Sequence, residues 1–238
     1  MLSTSVSCEG AAVVNACGVP GSIGCFALTL HESQPVLLTS HHVLFGAGAQ
    51  AQAPVRLLHR TAEVHGSKNI GAAGWGRRGL VRYDDRDVFV DCAVVQLDAR
   101  IVLQQGWGTQ EPCATGVPVP GASVTKTGAA TGLTAGVVVD VEHTATVDID
   151  GRRCDAPGQI LIRSQVRGRT FSAAGDSGAV LRDERGAIVG LLWGVTAAGD
   201  AIACPIAPVL WLLHLQPVRL LPAVPFPLNP GTADASAR

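Results

Sequence analysis

Residues 137–150 read VVVDVEHTATVDID, and no other run limits the fold of the chain as tightly. Val139, Val141, His143, Ala145, Val147 and Ile149 fall on one side of an extended chain, while Asp140, Glu142, Thr144, Thr146 and Asp148 fall on the other. A period of two followed by Gly151 predicts one or two strands of a half-buried antiparallel sheet, because a helix would scatter those apolar positions around its axis. Shorter apolar runs at 24–30, 36–39, 88–97, 159–166 and 187–195 read as buried strands separated by turn residues. That spacing predicts barrels or a sandwich rather than alternating βαβ units. One helix is expected over 207–215, after Pro205, with Pro208 tolerated in its first turn. From Gln216 the chain carries five prolines and then GTADASAR, which predicts an extended, partly disordered tail. The stretch 108–122, GTQEPCATGVPVPGA, is the best connector. The expected organisation is therefore a β unit over 1–115, a second over 116–215 and a tail over 216–238.

Composition narrows the function. With 238 residues, 47% of them hydrophobic, the chain can bury a core without covalent staples. A net charge of −1 lacks the basic footprint that nucleic-acid binding needs. No run approaches the ~18 continuous apolar residues of a membrane helix. The first Lys or Arg is Arg56, so the basic start of a secretion signal is not expected. The seven cysteines are odd in number and scattered, with no C-x2-C or C-x4-C pair to hold a metal. Reduced thiols in a cytoplasmic protein are the expectation, with no metal and no cofactor.

Three strings carry residue types suited to nucleophilic catalysis. In 171–180, FSAAGDSGAV, Ser177 stands between Asp176 and Gly178 with Gly175 upstream. Glycines on both sides permit a tight turn that aims amide N–H groups at a developing oxyanion, although Gly, Asp and Ser are also ordinary turn residues. In 36–44, VLLTSHHVL, an apolar strand runs into His41 and His42. A histidine held at a strand end can serve as general base if a carboxylate fixes its tautomer. In 88–98, VFVDCAVVQLD, Asp91 interrupts an apolar strand, where a carboxylate is costly unless it is paired.

Together these strings resemble the chymotrypsin/trypsin-like serine peptidases, in particular bacterial members of a non-secreted type, which show LTAAHC, DIALL and GDSGGP in that order. LLTSHHV matches the first on His42, DCAVVQL the second on Asp91, and GDSGAV the third on Ser177. Further strings agree. GSIGCFA at 21–27 is similar to the strand before the histidine, and KTGAATGLTAGV at 126–137 to the K-x-G-x-T-T-G string opening the second barrel. AIVGLLWG at 187–194 resembles the strand ending in S-W-G, and ACPIAPVL at 203–210 the lead into the closing helix. Rival orders fit poorly. An α/β-hydrolase elbow meets Ala179 where glycine belongs and would need Asp200 and His214, and a subtilisin order leaves only His143 after Asp84. GWGRRG at 74–79 matches a dinucleotide pattern but has no strand before it and no helix after it, so it reads as a loop.

The resemblance implies an all-β fold of two packed six-stranded antiparallel β-barrels with a short C-terminal helix. It also implies a serine endopeptidase acting on a peptide or protein through His42, Asp91 and Ser177. The amides of Gly175 and Ser177 would form the oxyanion hole. Phe171 and Ser172 would wall the specificity pocket, and Leu192, Trp193 and Gly194 would pair with substrate backbone. No acid lies in 171–174, which disfavours a preference for Arg or Lys unless Asp200 enters the pocket; a small or apolar residue before the cut is expected. Val43 and Ala173 replace cysteines of secreted relatives. The zymogen site R-I-V-G-G is missing, so Arg169 or another local donor would have to hold Asp176. Two other readings use the same letters: a silent peptidase-like module that binds extended peptides, and a cytosolic effector protease activated by a regulatory protein partner.

Overall fold

The computed structural model describes residues 9–60, 65–100 and 110–220. The chain is all-β, arranged as two antiparallel β units, with two short helices among the described residues. The first unit contains β1 (Ala12–Val14), β2 (Pro20–Ser22), β3 (Cys25–Thr29), β4 (Pro35–Thr39), β5 (Pro54–Arg60), β6 (His65–Tyr83), β7 (Arg86–Leu97) and β8 (Gln110–Pro112). The second contains β9 (Ser123–Gly128), β10 (Gly132–Ile149), β11 (Arg152–Ser164), β12 (Val180–Asp183), β13 (Ile188–Val195) and β14 (Ala201–Pro205). Helix α1 (His41–Phe45) follows β4, and α2 (Ile206–Leu213) follows β14. A last strand, β15 (Leu215–Leu220), returns to the first unit.

The second unit is the expected closed six-stranded barrel, in the order β10-β11-β14-β13-β12-β9. The first differs in strand number: it is a nine-stranded sheet in the order β2-β1-β5-β6-β7-β4-β3-β15-β8. Residues 216–220, expected in the tail, are strand because Leu215 and Val218 are buried and β15 fills the gap between β3 and β8. Pro217 gives up one donor there, but its carbonyl still accepts the Cys113 N–H at 2.9 Å. Residues 221–238 of the expected tail lie outside the described residues, as does Cys8. The six described cysteines are free thiols.

Three apolar clusters support this arrangement. One lies within the first sheet and includes Val13, Ile23, Leu37, Val43 and Val95. Another fills the closed barrel, with Val138, Ile160, Ile162, Phe171 and Leu181. The third joins the units, combining Leu38, Phe89 and Val94 with Leu191, Trp193 and Val209. Each such side chain contributes about 1.5–3 kcal/mol on burial, so the joined faces act as one core.

Strand β10 shows how one sequence serves two of these clusters. Its expected apolar face holds over Ala145 and Val147, but Val139 is exposed and Val138 is buried instead. Register shifts between Val138 and Ala145 reverse which face points inward. The early half therefore enters the barrel core, and the later half enters the joint between the units.

The glycine-rich 74–79 segment is strand rather than loop. It lies within β6, which pairs with β7 along most of its length and is bulged between Ala73 and Gly76. A Cβ on Gly76 would stand 2.4 Å from the Ala93 Cβ, so the absence of a side chain is what lets the two strands approach. This pairing puts Arg78 directly opposite Asp91.

Candidate active site

The histidine comes from a turn whose cap has been reassigned. Ser40 occupies the N-cap position of α1 in extended geometry, yet its hydroxyl makes no cap bond and donates instead to the Leu192 carbonyl at 2.9 Å. The vacant cap role passes to Asp91, whose Oδ1 accepts the His42 backbone N–H at 3.1 Å. Its Oδ2 meets His42 Nδ1 at 2.9 Å. His41 is turned elsewhere, its ring 4.6 Å from that of Phe45. Of the adjacent pair, His42 is the one that meets the carboxylate.

Asp91 is fully buried in β7, between Val90 and Cys92. The strand is covered on both faces, which explains its near-continuous apolar run. Arg78 Nε donates to Oδ2 at 3.0 Å, and the Asp91 N–H meets the Cys204 sulfur at 3.3 Å. Burial alone would push the Asp91 carboxyl up. The His42 ring and amide, with the Arg78 charge, outweigh burial and hold it below the ordinary aspartate value. Asp91 is therefore an anion at neutral pH.

Ser177 is fixed to the same corner from the other unit. Its carbonyl accepts the Ser22 N–H at 2.8 Å, and the Ser22 hydroxyl donates to the Gly175 carbonyl at 2.8 Å while accepting the Ala129 N–H at 2.9 Å. Gly178 has φ +94°, and a Cβ there would lie 2.2 Å from Thr39 Oγ1 and 3.2 Å from the Ser40 nitrogen. The residue after Ser177 thus packs on the residues two and three before His42. The Leu192 carbonyl completes the joint, accepting the Gly178 N–H at 2.8 Å as well as the Ser40 hydroxyl. Along this loop Asp176 N–H bonds to Ala173 O and Gly178 N–H to Leu192 O. The Gly175 and Ser177 N–H groups meet no acceptor among the described residues. Two spent amides alternate with two free ones, beside a half-buried serine.

Asp176 points away from this corner into a buried socket. The Ala130 and Thr131 amides donate to Oδ1 at 2.9 and 3.1 Å. The Thr131 hydroxyl donates to Oδ2 at 2.7 Å and the Ala173 N–H at 3.0 Å. Lys126 Nζ stands 3.1 Å from Oδ2, both side chains being fully buried. The donor is therefore Lys126 rather than Arg169. Burial raises the Asp176 carboxyl, but the Thr131 hydroxyl, the amides and Lys126 hold it below the ordinary value. Lys126 stands in the β9–β10 string, but nothing in the letters connects it to Asp176; Arg78 was hidden in a segment read as loop.

The expected substrate-contact residues divide. Phe171 is fully buried in the barrel core, where Gly136 leaves room for its ring. Ser172 is buried, and its hydroxyl is the one buried side-chain polar atom without a partner among the described residues. Leu192 departs from expectation: its N–H is used by Ala179 and its carbonyl by Ser40 and Gly178, so its backbone is not open to a peptide. Trp193 sends its indole inward to Gln159 Oε1 at 2.7 Å. Gly194 lies beyond the end of the β12 pairing, on a margin of β13. Asp200 does not enter the site as a free charge, because Arg163 binds both its oxygens at 3.0 and 2.7 Å. Among the described residues no three His, Cys, Asp or Glu side chains are grouped to hold a metal, and no helix is long and apolar enough to cross a membrane.

The same architecture occurs in solved proteases. Thermobifida fusca Protease A aligns with a TM-score of 0.57 at 19% identity, over 88% of this chain and 96% of that one. A glutamic acid specific serine protease that uses a histidine triad in substrate binding aligns at 0.57 and 18% identity, over 88% and 98%. Cellulomonas bogoriensis chymotrypsin aligns at 0.55 and 17%, over 88% and 96%. The chain has the chymotrypsin-like protease fold. No protein-family model matches it, and no curated protein sequence matches it significantly. In this chymotrypsin-like frame the first unit delivers His42 and Asp91, and the second delivers Ser177.

Proposed function

We propose that the chain is a serine endopeptidase. Ser177 Oγ attacks the scissile carbonyl, His42 accepts its proton and returns it to the leaving amine, and Asp91 fixes the imidazole and stabilises its cation. The observation that carries this reading is the pair of hydrogen bonds between Asp91 and His42, at 2.9 Å to the ring and 3.1 Å to the backbone. It leaves Nε2 as the ring atom available for proton transfer. The unspent N–H groups of Gly175 and Ser177 form the oxyanion hole, each donor worth about 3–4 kcal/mol in the transition state.

The substrate is an extended peptide or protein segment that pairs with β13 from Trp193 onward. With Asp200 neutralised by Arg163 and no acid in 171–174, the residue before the cut is uncharged, small or apolar. The Ser172 hydroxyl supplies the unspent polar group of that wall.

A fluorophosphonate probe tests the chemistry. Labelling of the folded protein that is lost in Ser177→Ala, together with peptide-library cleavage abolished by the same change, is the expected result. A folded protein that takes no label and cuts no peptide is instead a silent peptide-binding module. Labelling that appears only after a partner protein is added identifies a triggered effector protease.

A further inference from the structure

The Asp91 carboxylate has more donors than the orientation of one imidazole requires. Oδ2 receives His42 Nδ1 at 2.9 Å and Arg78 Nε at 3.0 Å, while Oδ1 takes the His42 amide. The Arg78 side chain is 28% exposed and that of Asp91 0%, so the guanidinium reaches from the surface to an oxygen that water does not touch. A buried carboxylate keeps its charge only if it is paired and fully hydrogen-bonded. A neutral imidazole supplies a hydrogen bond but no charge. With the imidazole neutral, as a general base must be, Arg78 is the formal cation in contact with Asp91 among the described residues.

The proposed reaction adds a second cation. When His42 takes the serine proton, an imidazolium forms against the oxygen that Arg78 already holds. Two cations then draw on one anion.

We propose that Arg78 is a positioning residue of this peptidase, locking the Asp91 carboxylate so that Oδ2 faces His42 Nδ1 and withholding part of its charge from the imidazolium. The proposal rests on the assignment of His42, Asp91 and Ser177 made above. Its consequence is read in a variant: without the Arg78 charge, the imidazolium of the proposed reaction is the one cation left against Asp91, which favours the protonated ring. The other titratable and charged neighbours do not supply this effect. Burial pushes the Cys92 and Cys204 thiols up, so both are neutral. Burial pushes His41 down, so it too is neutral near pH 7. Arg77 directs its guanidinium to the Leu80 carbonyl at 3.4 Å. The Lys126–Asp176 pair is closed on itself in its own socket.

The test is the pH dependence of fluorophosphonate labelling at Ser177 in wild type, Arg78→Leu and Arg78→Lys, with thermal melting as the fold control. Arg78→Leu is expected to move the acidic limb of the profile up by about one pH unit, a tenfold loss of rate below that limb. Arg78→Lys, which keeps the charge, is expected to restore the limb toward wild type. If Arg78→Leu does not melt cooperatively, Arg78→Gln takes its place with the same expectation. A folded, uncharged variant whose limb coincides with wild type overturns the charge-sharing role, even if its plateau is lower. Wild type that takes no label overturns the peptidase reading itself, which separates the two failures.

Discussion

Asp91 caps the helix that carries His42 and, with its other oxygen, holds the ring of the same residue. One carboxylate from β7 thus fixes both the backbone and the side chain of a residue on α1. The orientation of the imidazole is thereby tied to the position of its helix. Asp91→Asn should therefore do two separable things. The amide presents a donor to Nδ1 and favours the wrong tautomer, so the labelling rate of Ser177 should fall about ten-thousandfold. It also sets an amide N–H group against Arg78 and removes that charge pair, so the melting temperature should drop measurably. A loss of less than tenfold in labelling would show that the ring is oriented by something other than this carboxylate.

Lys126 and Asp176 form a fully buried ion pair, Asp176 belonging to the loop that carries Ser177. Removing one partner of such a pair leaves an uncompensated charge, at a cost of about 3–5 kcal/mol. Lys126→Met should show that loss in urea unfolding monitored by tryptophan fluorescence. The double change Lys126→Met with Asp176→Leu should recover much of it, because replacing both partners removes the buried charge. Equal stability of the single variant and wild type would contradict the pairing.

Both buried carboxylates contribute to the acid limit of the fold. Asp91 and Asp176 are held below the ordinary aspartate value of 3.8 in the folded state. A depressed folded value contributes stability that is complete above 3.8 and is lost as pH falls through the lower folded values. Thermal melting between pH 7 and pH 2 should therefore show no loss from these two groups until about pH 4, and a steep loss beneath it. In Thr131→Val, which removes one donor from Asp176, the folded value moves back toward 3.8, so the loss from this group should be smaller and complete at higher pH. A midpoint that declines equally across the whole range would rule out these groups as the source.

Much of the frame was legible because strands obey simple rules. The runs at 24–30, 36–39, 88–97 and 187–195 are all strands, since apolar runs between turn residues have few other homes. Asp91 was legible for the opposite reason: a carboxylate in such a run is anomalous unless paired. What escaped was governed by partners distant in sequence. Arg78 sits in a glycine-rich stretch with no apolar periodicity, and only pairing with β7 makes that stretch a strand. Val139 is exposed because bulges reverse the faces of β10, which no count of alternation reveals. Leu192 carries the letters of a peptide-binding edge, but Ser40, Gly178 and Ala179 occupy its backbone. The role of Ser22, with one bond on either side of Asp176, has no local signal at all.

The strand Leu215–Leu220 lies between β3 and β8, yet it is made after every strand of the closed barrel. As the polypeptide leaves the ribosome, the sheet bearing Asp91 lacks the β15 neighbour of β3 until nearly all of the described chain has emerged. The first sheet is thus closed up by the latest described strand rather than by neighbours in sequence, so its completion depends on the second unit having been made first.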